Sequence, residues 1–310
     1  MNITVIGHLC FDTVHHPNGS AAEGRNPGGI VYTIAALAAM SSPKDTIVPV
    51  VGVSQSDHET FLAWLKQFPQ VKTDGIFILE GPTNEVHLFY GETGNSRIEC
   101  SEHISPPIPF STLRPFLDTN GILLNMISGF DITLETLDRI RMDIRDKGTP
   151  IHFDFHSLTL GIDQEHRRFR RPLSDWRRWS FMIDSIQLSE DEAAGLTTER
   201  YGESDLINQM MSLMVKNLLI TRGNRGATLI CQEHKKLSRV DIPGMPLTPA
   251  PDPTGCGDVF GAAFFLKYLE TGSSRQAADI ANKVAAYHTT YAGTGGLAAA
   301  LRFLQQQTPA

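Results

Sequence analysis

Asp252-Pro253-Thr254-Gly255-Cys256-Gly257-Asp258 is the stretch on which the reading of this chain turns, and an apolar run, Val259-Phe260-Gly261-Ala262-Ala263-Phe264-Phe265-Leu266, follows it directly. A Gly-rich turn that opens a helix leaves several backbone N–H groups unpaired. With the positive end of the helix dipole they form a site for an anion. A carboxylate in the first turn, Asp258, would be out of place in a plain anion pocket. It fits phosphoryl transfer, in which the amides hold the charge developing on a phosphate and Asp258 takes the proton of an attacking hydroxyl.

Far upstream a second pair, Gly28-Gly29, opens another small-residue helix, Ile30 to Ala39. Between the two turns, short apolar β-branched runs alternate with helical stretches. The strand candidates are 3–6, 46–51, 121–126, 151–155, 181–187, 217–221 and 227–231. The helix candidates are 29–40, 57–68, 133–147 and 204–215, followed by 255–270, 274–291 and 296–307 near the C-terminus. Strands that are apolar throughout and separated by helices predict a parallel sheet covered on both faces. Ser189 with Glu192 three residues on has the spacing of a capping box. Residues 74–100 break the alternation: Ile76-Phe77-Ile78-Leu79 and Val86-His87-Leu88-Phe89-Tyr90 flank Gly81-Pro82-Thr83-Asn84. This region reads as a small β-sheet that projects from the main domain and covers a cleft.

The bulk properties exclude several classes. A formal net charge of −7 gives no global attraction to nucleic acid or to anionic membranes. No apolar run is long enough for a membrane span, and MNITVIGHLCFDTV reads as a strand entering a turn instead of a leader. Cys10, Cys100, Cys231 and Cys256 share no metal-ligand spacing, which argues against disulfides and zinc and fits a reducing, cytoplasmic setting. There is no GxxxxGK[ST] run, and the first strand leads into GHLCFD in place of GxGxxG, so neither a P-loop kinase nor a Rossmann dehydrogenase fits.

At these residues the chain resembles the ribokinase-like (PfkB) carbohydrate kinase family. DPTGCGD with VFGAAFF resembles the family's C-terminal signature, and Gly28-Gly29 with its helix resembles the N-terminal one. Gly7 through Asp12 is similar to the opening strand and turn with its substrate-binding aspartate. Gln187-Leu188-Ser189-Glu190 lies where the family carries Asn-x-x-Glu, and Thr221-Arg222-Gly223 with Gly226 resembles a Thr-x-Gly-x-x-Gly turn. The matches run in order over nearly the whole chain.

The resemblance implies one kinase domain over residues 1–310. Its fold would be a three-layer α/β/α sandwich with a mostly parallel central sheet, and a β lid formed mainly by about residues 10–18 and 74–100. It implies Asp258 as general base, with the amides of Gly255, Cys256 and Gly257 as anion hole. Asp12, Gly28, Gly29 and Thr33 would contact a sugar-like substrate. Gln187, Thr221, Gly223, Gly226, Asn282 and Ala285 would flank the nucleotide. Glu190 would organise magnesium through water, and Asp252 would sit where relatives often bind a monovalent cation such as K+. ATP and Mg2+ are implied as co-substrate and cofactor, and the partner is a small-molecule alcohol. A homodimer joined through the lid is compatible with this. Magnesium keeps several waters, so a single glutamate is not too little.

The departures concern the acceptor. Thr33 and Gln187 replace asparagines, His8 stands where an acidic or amide residue is frequent, and Asp154-Phe155-His156 replaces an Asp-x-Asn followed by Arg. They also motivate the rival reading, a non-catalytic nucleotide- or sugar-binding regulatory protein on the same fold. Against it stand Asp252 and Asp258, since a pure binder has little use for the base. Residues 166–179, HRRFRRPLSDWRRW, read as a solvated surface segment, His15-His16 as a polar turn, and Cys256 as a small residue filling the signature's alanine position.

Overall fold

The computed structural model describes residues 1–15, 25–90, 97–233, 236–245, 247, 253–291 and 293–297. Its strands are β1 (Asn2–His15), β2 (Asn26–Gly29), β3 (Thr46–Ser54), β4 (Ile76–Leu79), β5 (Asn84–Tyr90), β6 (Arg97–Glu102) and β7 (Gly121–Leu124). They continue as β8 (Ile151–Asp154), β9 (Leu160–Ile162), β10 (Arg168–Arg170), β11 (Ser185–Ser189), β12 (Asn217–Thr221), β13 (Gly226–Glu233) and β14 (Lys236–Pro243). The helices are α1 (Ile30–Met40), α2 (His58–Leu65), α3 (Phe110–Leu113), α4 (Leu134–Ile144), α5 (Trp176–Phe181), α6 (Glu190–Gly195), α7 (Glu203–Met211), α8 (Cys256–Thr271) and α9 (Ser274–His288).

The main sheet runs β14-β13-β12-β11-β8-β7-β1-β3-β4. All its pairs are parallel except the hairpin edge, where β13 is antiparallel to β12 and β14. The two faces bury separate apolar cores, as continuous apolar strands require. One core gathers α1, α2, α8 and α9, with Phe264 and Phe265 fully buried; the other gathers α3 to α7, with Phe153 and Trp176. Alternation along β1 divides them, since Ile3 and Val5 enter the first core and Ile6 the second. The result is the three-layer α/β/α sandwich that the sequence predicts.

β1 is long enough to serve two sheets. As far as His8 it pairs with β3; from Leu9 on it pairs antiparallel with β2 and parallel with β5, and β6 adds antiparallel to β5. This small sheet stands over the C-terminal ends of the main strands. Its Leu88 is buried, whereas the neighbouring Phe89 and Ile98, directly paired, are exposed on the far side.

Three boundaries differ from expectation. Ile76–Leu79 is no part of the small sheet: it extends the main sheet as a parallel edge strand on β3, the return of a βαβ unit through α2. Phe181 closes α5, and its strand begins only at Ser185, after Asp184 has accepted the amide of Ile151 and bonded Arg141. The 166–179 segment is not simply solvated. Trp176 and Trp179 are core residues, and Arg168 and Arg170 belong to the β9-β10 hairpin that lies against β6. Residues 298–307 of the predicted last helix, and positions 16–18 and 91–96 of the predicted lid, lie outside the described residues. No helix among the described residues is long and apolar enough to cross a membrane.

Candidate active site

Ligand sites in open α/β sheets lie beyond the carboxyl ends of the strands, and the candidate residues gather there. α8 begins at Gly255, whose φ of 77° is left-handed, and a Cβ there would lie 2.4 Å from the Tyr32 ring of α1. Glycine is therefore required at this position both by conformation and by space. Tyr32 in turn meets the ring of His288 edge-on at 5.4 Å, and His288 donates to the Thr254 carbonyl at 2.7 Å. The turn is thus held between α1 and α9.

Asp258 stands in the first turn of α8. Asn125, just beyond β7, donates from Nδ2 to Asp258 Oδ1 at 2.6 Å and to Thr33 Oγ1 at 2.7 Å. Burial pushes the Asp258 carboxyl up to about 6, while the bond from Asn125 and the charge of His156 pull it down. Its neighbours form a charged group. Gln187 Nε2 donates to Asp154 Oδ2 at 2.6 Å and to the Gly257 carbonyl at 3.0 Å. Burial, then the charge of Glu192, raises Asp154 to about 7. His156 Nδ1 donates to Glu192 Oε1 at 2.8 Å, and Arg170 reaches the same oxygen at 3.3 Å. Burial opposes charge on both partners, but this pairing outweighs it, holding His156 at about 9 and Glu192 at about 2.

Two cavities meet at this turn. The smaller, about 280 Å3, is bounded by Asp12, Gly29, Asn125, Asp154, His156 and Asp258, with Val86 and Leu88 of the small sheet above. The larger, about 770 Å3, is bounded by Thr221, Gly223, Gly226, Phe260, Asn282 and Ala285. Ser189, Thr221, Pro253, Cys256 and Gly257 belong to both walls. A group placed at Gly257 is therefore reachable from either side, and Asp258 faces the smaller one.

Most residues singled out in the sequence lie on these walls, but several hold other positions. Thr33 is fully buried behind Asn125 and does not reach the smaller cavity. Gly28 supports Asp12 from beneath: a Cβ there would lie 2.1 Å from the carboxylate. Gln187 sits beside the smaller cavity under Gly257, not on the wall of the larger one. The Cys256 amide is spent on the Pro253 carbonyl at 3.1 Å, which removes it from the predicted anion hole. Glu190 is bonded by Arg222 at 3.1 Å and by Arg225, so its charge is already matched. Asp252 lies outside the described residues. Among the described residues, no three His, Cys, Asp or Glu side chains converge to hold a metal.

Asn125 and Glu192 were not anticipated as site residues. Asn125 has no motif around it. Glu192 was visible as the third residue of the capping box, which the structure forms in full: Ser189 Oγ accepts from the Glu192 amide at 3.2 Å, and Glu192 Oε2 accepts from the Ser189 amide at 2.7 Å. The x-x-Glu spacing read as Gln187 to Glu190 recurs at Ser189 to Glu192, and only the second frame ends at the smaller cavity.

Comparison with known proteins agrees with this fold. The profile described as "pfkB family carbohydrate kinase" matches residues 167–300. A cytidine kinase of Thermococcus kodakarensis is 25% identical over 279 residues, covering 86% of this chain and 88% of that protein. A solved pyrophosphate-dependent kinase of the ribokinase family superposes with a TM-score of 0.76 at 18% identity, over 94% of this chain and 96% of the other. The ribokinase of Arabidopsis thaliana, solved with ribose and ATP, superposes with a TM-score of 0.71 at 18% identity, over 98% of each chain. The class is that of phosphotransferases with an alcohol group as acceptor. Residues 167–300 match the pfkB carbohydrate kinase model, and the fold over nearly the whole chain is that of solved ribokinase-family structures.

Proposed function

We propose that this protein transfers the γ-phosphoryl of ATP to a hydroxyl of a small sugar, polyol or nucleoside. The observation that carries the reading is Asp258: a carboxylate titrating near 6, aimed by Asn125, at the junction of two cavities. A base with a pKa close to neutrality is ionised at work and still strong enough to accept a proton. The acceptor enters the smaller cavity beneath the β5-β6 lid. The donor enters the larger one. Asp258 takes the hydroxyl proton as the phosphoryl group crosses at Gly257, where the free amides of the first turn and the α8 dipole stabilise its charge. With Cys256 bonded to Pro253, the amides of Gly255 and Gly257 carry this role. Alignment and charge compensation make up most of the catalysis.

The size of the larger cavity favours a nucleotide donor. Pyrophosphate needs only a compact anion site, whereas this space of about 770 Å3 is walled by Phe260, Leu247, Ala285 and Ala286, surfaces suited to a purine ring. For magnesium, Asp154 on the wall of the smaller cavity, its pKa raised by burial and then by the charge of Glu192, supports a place for a cation. Asp154 would hold it through water; Glu192 is already paired with His156 and Arg170, as Glu190 is with Arg222 and Arg225. When bound, it neutralises charge on the donor phosphates.

The test is a coupled assay with ATP or pyrophosphate as donor against sugars, polyols and nucleosides. ATP-dependent turnover of at least one acceptor is expected. Tight binding of acceptors with no transfer from either donor would replace the reading with that of a regulatory binder.

A further inference from the structure

The proposed mechanism leaves one buried charge unused. Arg168 of β10 sits behind the wall of the smaller cavity. Its Nη2 donates to the Ser128 carbonyl at 2.7 Å, with the Ser157 carbonyl 3.5 Å away. Its Nε and Nη1 are buried, and among the described residues neither has a hydrogen-bond partner. Both carbonyls are neutral, so the guanidinium keeps its charge. Burial opposes that charge and lowers the pKa. A desolvated cation with N–H groups left over weakens a fold, so its presence calls for a reason beyond one carbonyl bond.

The strand register supplies one. β6 and β10 meet at an antiparallel bridge between Cys100 and Arg167, and the Ser101 amide donates to the His166 carbonyl at 2.9 Å. This register sets Glu99 directly opposite Arg168, where opposite charges attract across a strand pair. Of the charges around Arg168, Glu99 acts on it most, followed by Asp131. Glu99 also lies opposite the buried Leu88 of β5, shares its inward face, and borders the smaller cavity. Ser128 and Ser157 directly follow Ile127 and His156, both on the same wall. Arg168 is thus tied to the lid through Glu99 and to the loops beyond β7 and β8 through the two carbonyls. None of these residues borders the larger cavity.

We propose, resting on the assignment of this cavity to the acceptor, that Glu99 is a further acceptor-binding residue, accepting a hydrogen bond from a hydroxyl or N–H of the acceptor, and that Arg168 is its positioning residue. A carboxylate on a lid strand turns toward water unless something holds it inward. The cation opposite does so, and the Ser128 carbonyl fixes the cation. Arg168 touches neither substrate nor the reacting atoms, so it governs acceptor affinity and leaves the chemical step alone.

The test is steady-state kinetics with ATP and whichever of ribose, fructose, glucose, uridine and cytidine the wild type uses. Arg168→Met and Glu99→Gln should each raise the acceptor KM about tenfold or more, with kcat and the KM for ATP within about threefold of wild type. Because the two residues act as a unit, the double variant should be little worse than the worse single one. Arg168→Lys fills the same space as Arg168→Met but keeps a charge opposite Glu99, and it should recover most of the loss. A purely space-filling role would give no such recovery. An unchanged acceptor KM in Arg168→Met, single effects that multiply in the double variant, or an equal rise in the KM for ATP overturns the proposal. Should Arg168→Met fail to fold, Arg168→Gln takes its place in the same cycle. If the wild type transfers to none of the compounds, calorimetric titration of them with a non-hydrolysable ATP analogue decides separately. Affinity lost in both single variants and no further in the double supports the pair while refuting the kinase reading. Unchanged affinity, or no binding to the wild type, refutes the pair.

Discussion

Replacing Asn125 with leucine removes the two N–H donors that hold Asp258 and Thr33 while keeping a side chain of similar volume. A hydrogen bond to a charged group contributes about 1.5–3 kcal/mol, and 1.36 kcal/mol corresponds to about one pKa unit. The bond at 2.6 Å favours the ionised form, so its loss moves the Asp258 pKa upward by about one to two units, from about 6 to about 7–8. A base must be unprotonated to act, so the acid limb of the kcat/KM profile shifts to higher pH by the same amount. At pH 7 the ionised fraction falls from roughly nine-tenths to between about a half and a tenth, a loss of about two- to tenfold that recovers toward pH 9. Thr33 Oγ1, fully buried, loses its donor as well, and the fold weakens by about 1–3 kcal/mol. The assay is a pH series of initial rates at low acceptor concentration with saturating ATP, beside urea denaturation. An acid limb that stays in place in Asn125→Leu would refute the claim that this bond sets the base.

Three further outcomes follow from the same geometry. Ala285→Phe fills the larger cavity, and it should raise the KM for ATP about tenfold or more by steric exclusion while the acceptor KM changes little; a shift in the acceptor KM alone would reverse the assignment of the two cavities. Glu192→Gln breaks a pair whose carboxylate is buried but whose histidine is nearly half exposed, and should cost about 1–2 kcal/mol of stability at pH 7, measured by denaturant unfolding. His156, raised above its unfolded value by that pairing, contributes stability that is full below about pH 6.5 and lost as pH rises through about 9, so the cost of Glu192→Gln should shrink above pH 9; a pH-independent cost would show that His156 is not the partner that matters. Gly255→Ala forces a left-handed residue and a Cβ against Tyr32, and turnover should fall at least about 100-fold with KM for both substrates disturbed; wild-type kinetics would mean that the turn is not constrained as described.

The main sheet was legible because its strands are apolar on both faces, a pattern that requires helices on each side. The α8 turn was legible because glycine and aspartate at those spacings carry specific backbone chemistry. Ile76–Leu79 misled because four apolar residues before a turn look the same in a lid as at the edge of a parallel sheet; only pairing with β3 distinguishes them. The place of Gln187 was hidden for a similar reason, since its long amide folds back onto Asp154 and Gly257. Asn125 was out of reach of any local pattern: it meets Asp258 across a sequence separation of 133 residues. Glu190 and Glu192 are two residues apart on the same helical turn, and only the fold tells their partners apart: Arg222 and Arg225 for Glu190, His156 and Arg170 for Glu192.

The central claim is that Asp258 is the base, and Asp258→Asn tests it in single-turnover transfer from γ-labelled ATP to an acceptor that the wild-type enzyme uses. The folded carboxyl titrates above its ordinary value, so its charge opposes folding at neutral pH. The variant should therefore be no less stable than wild type at pH 7, with any advantage disappearing below pH 4. Acceptor and ATP binding should persist, while the rate of transfer falls by about 10²–10⁴-fold and loses its acid limb near pH 6. Transfer by a folded Asp258→Asn protein within a few-fold of wild type would contradict the account.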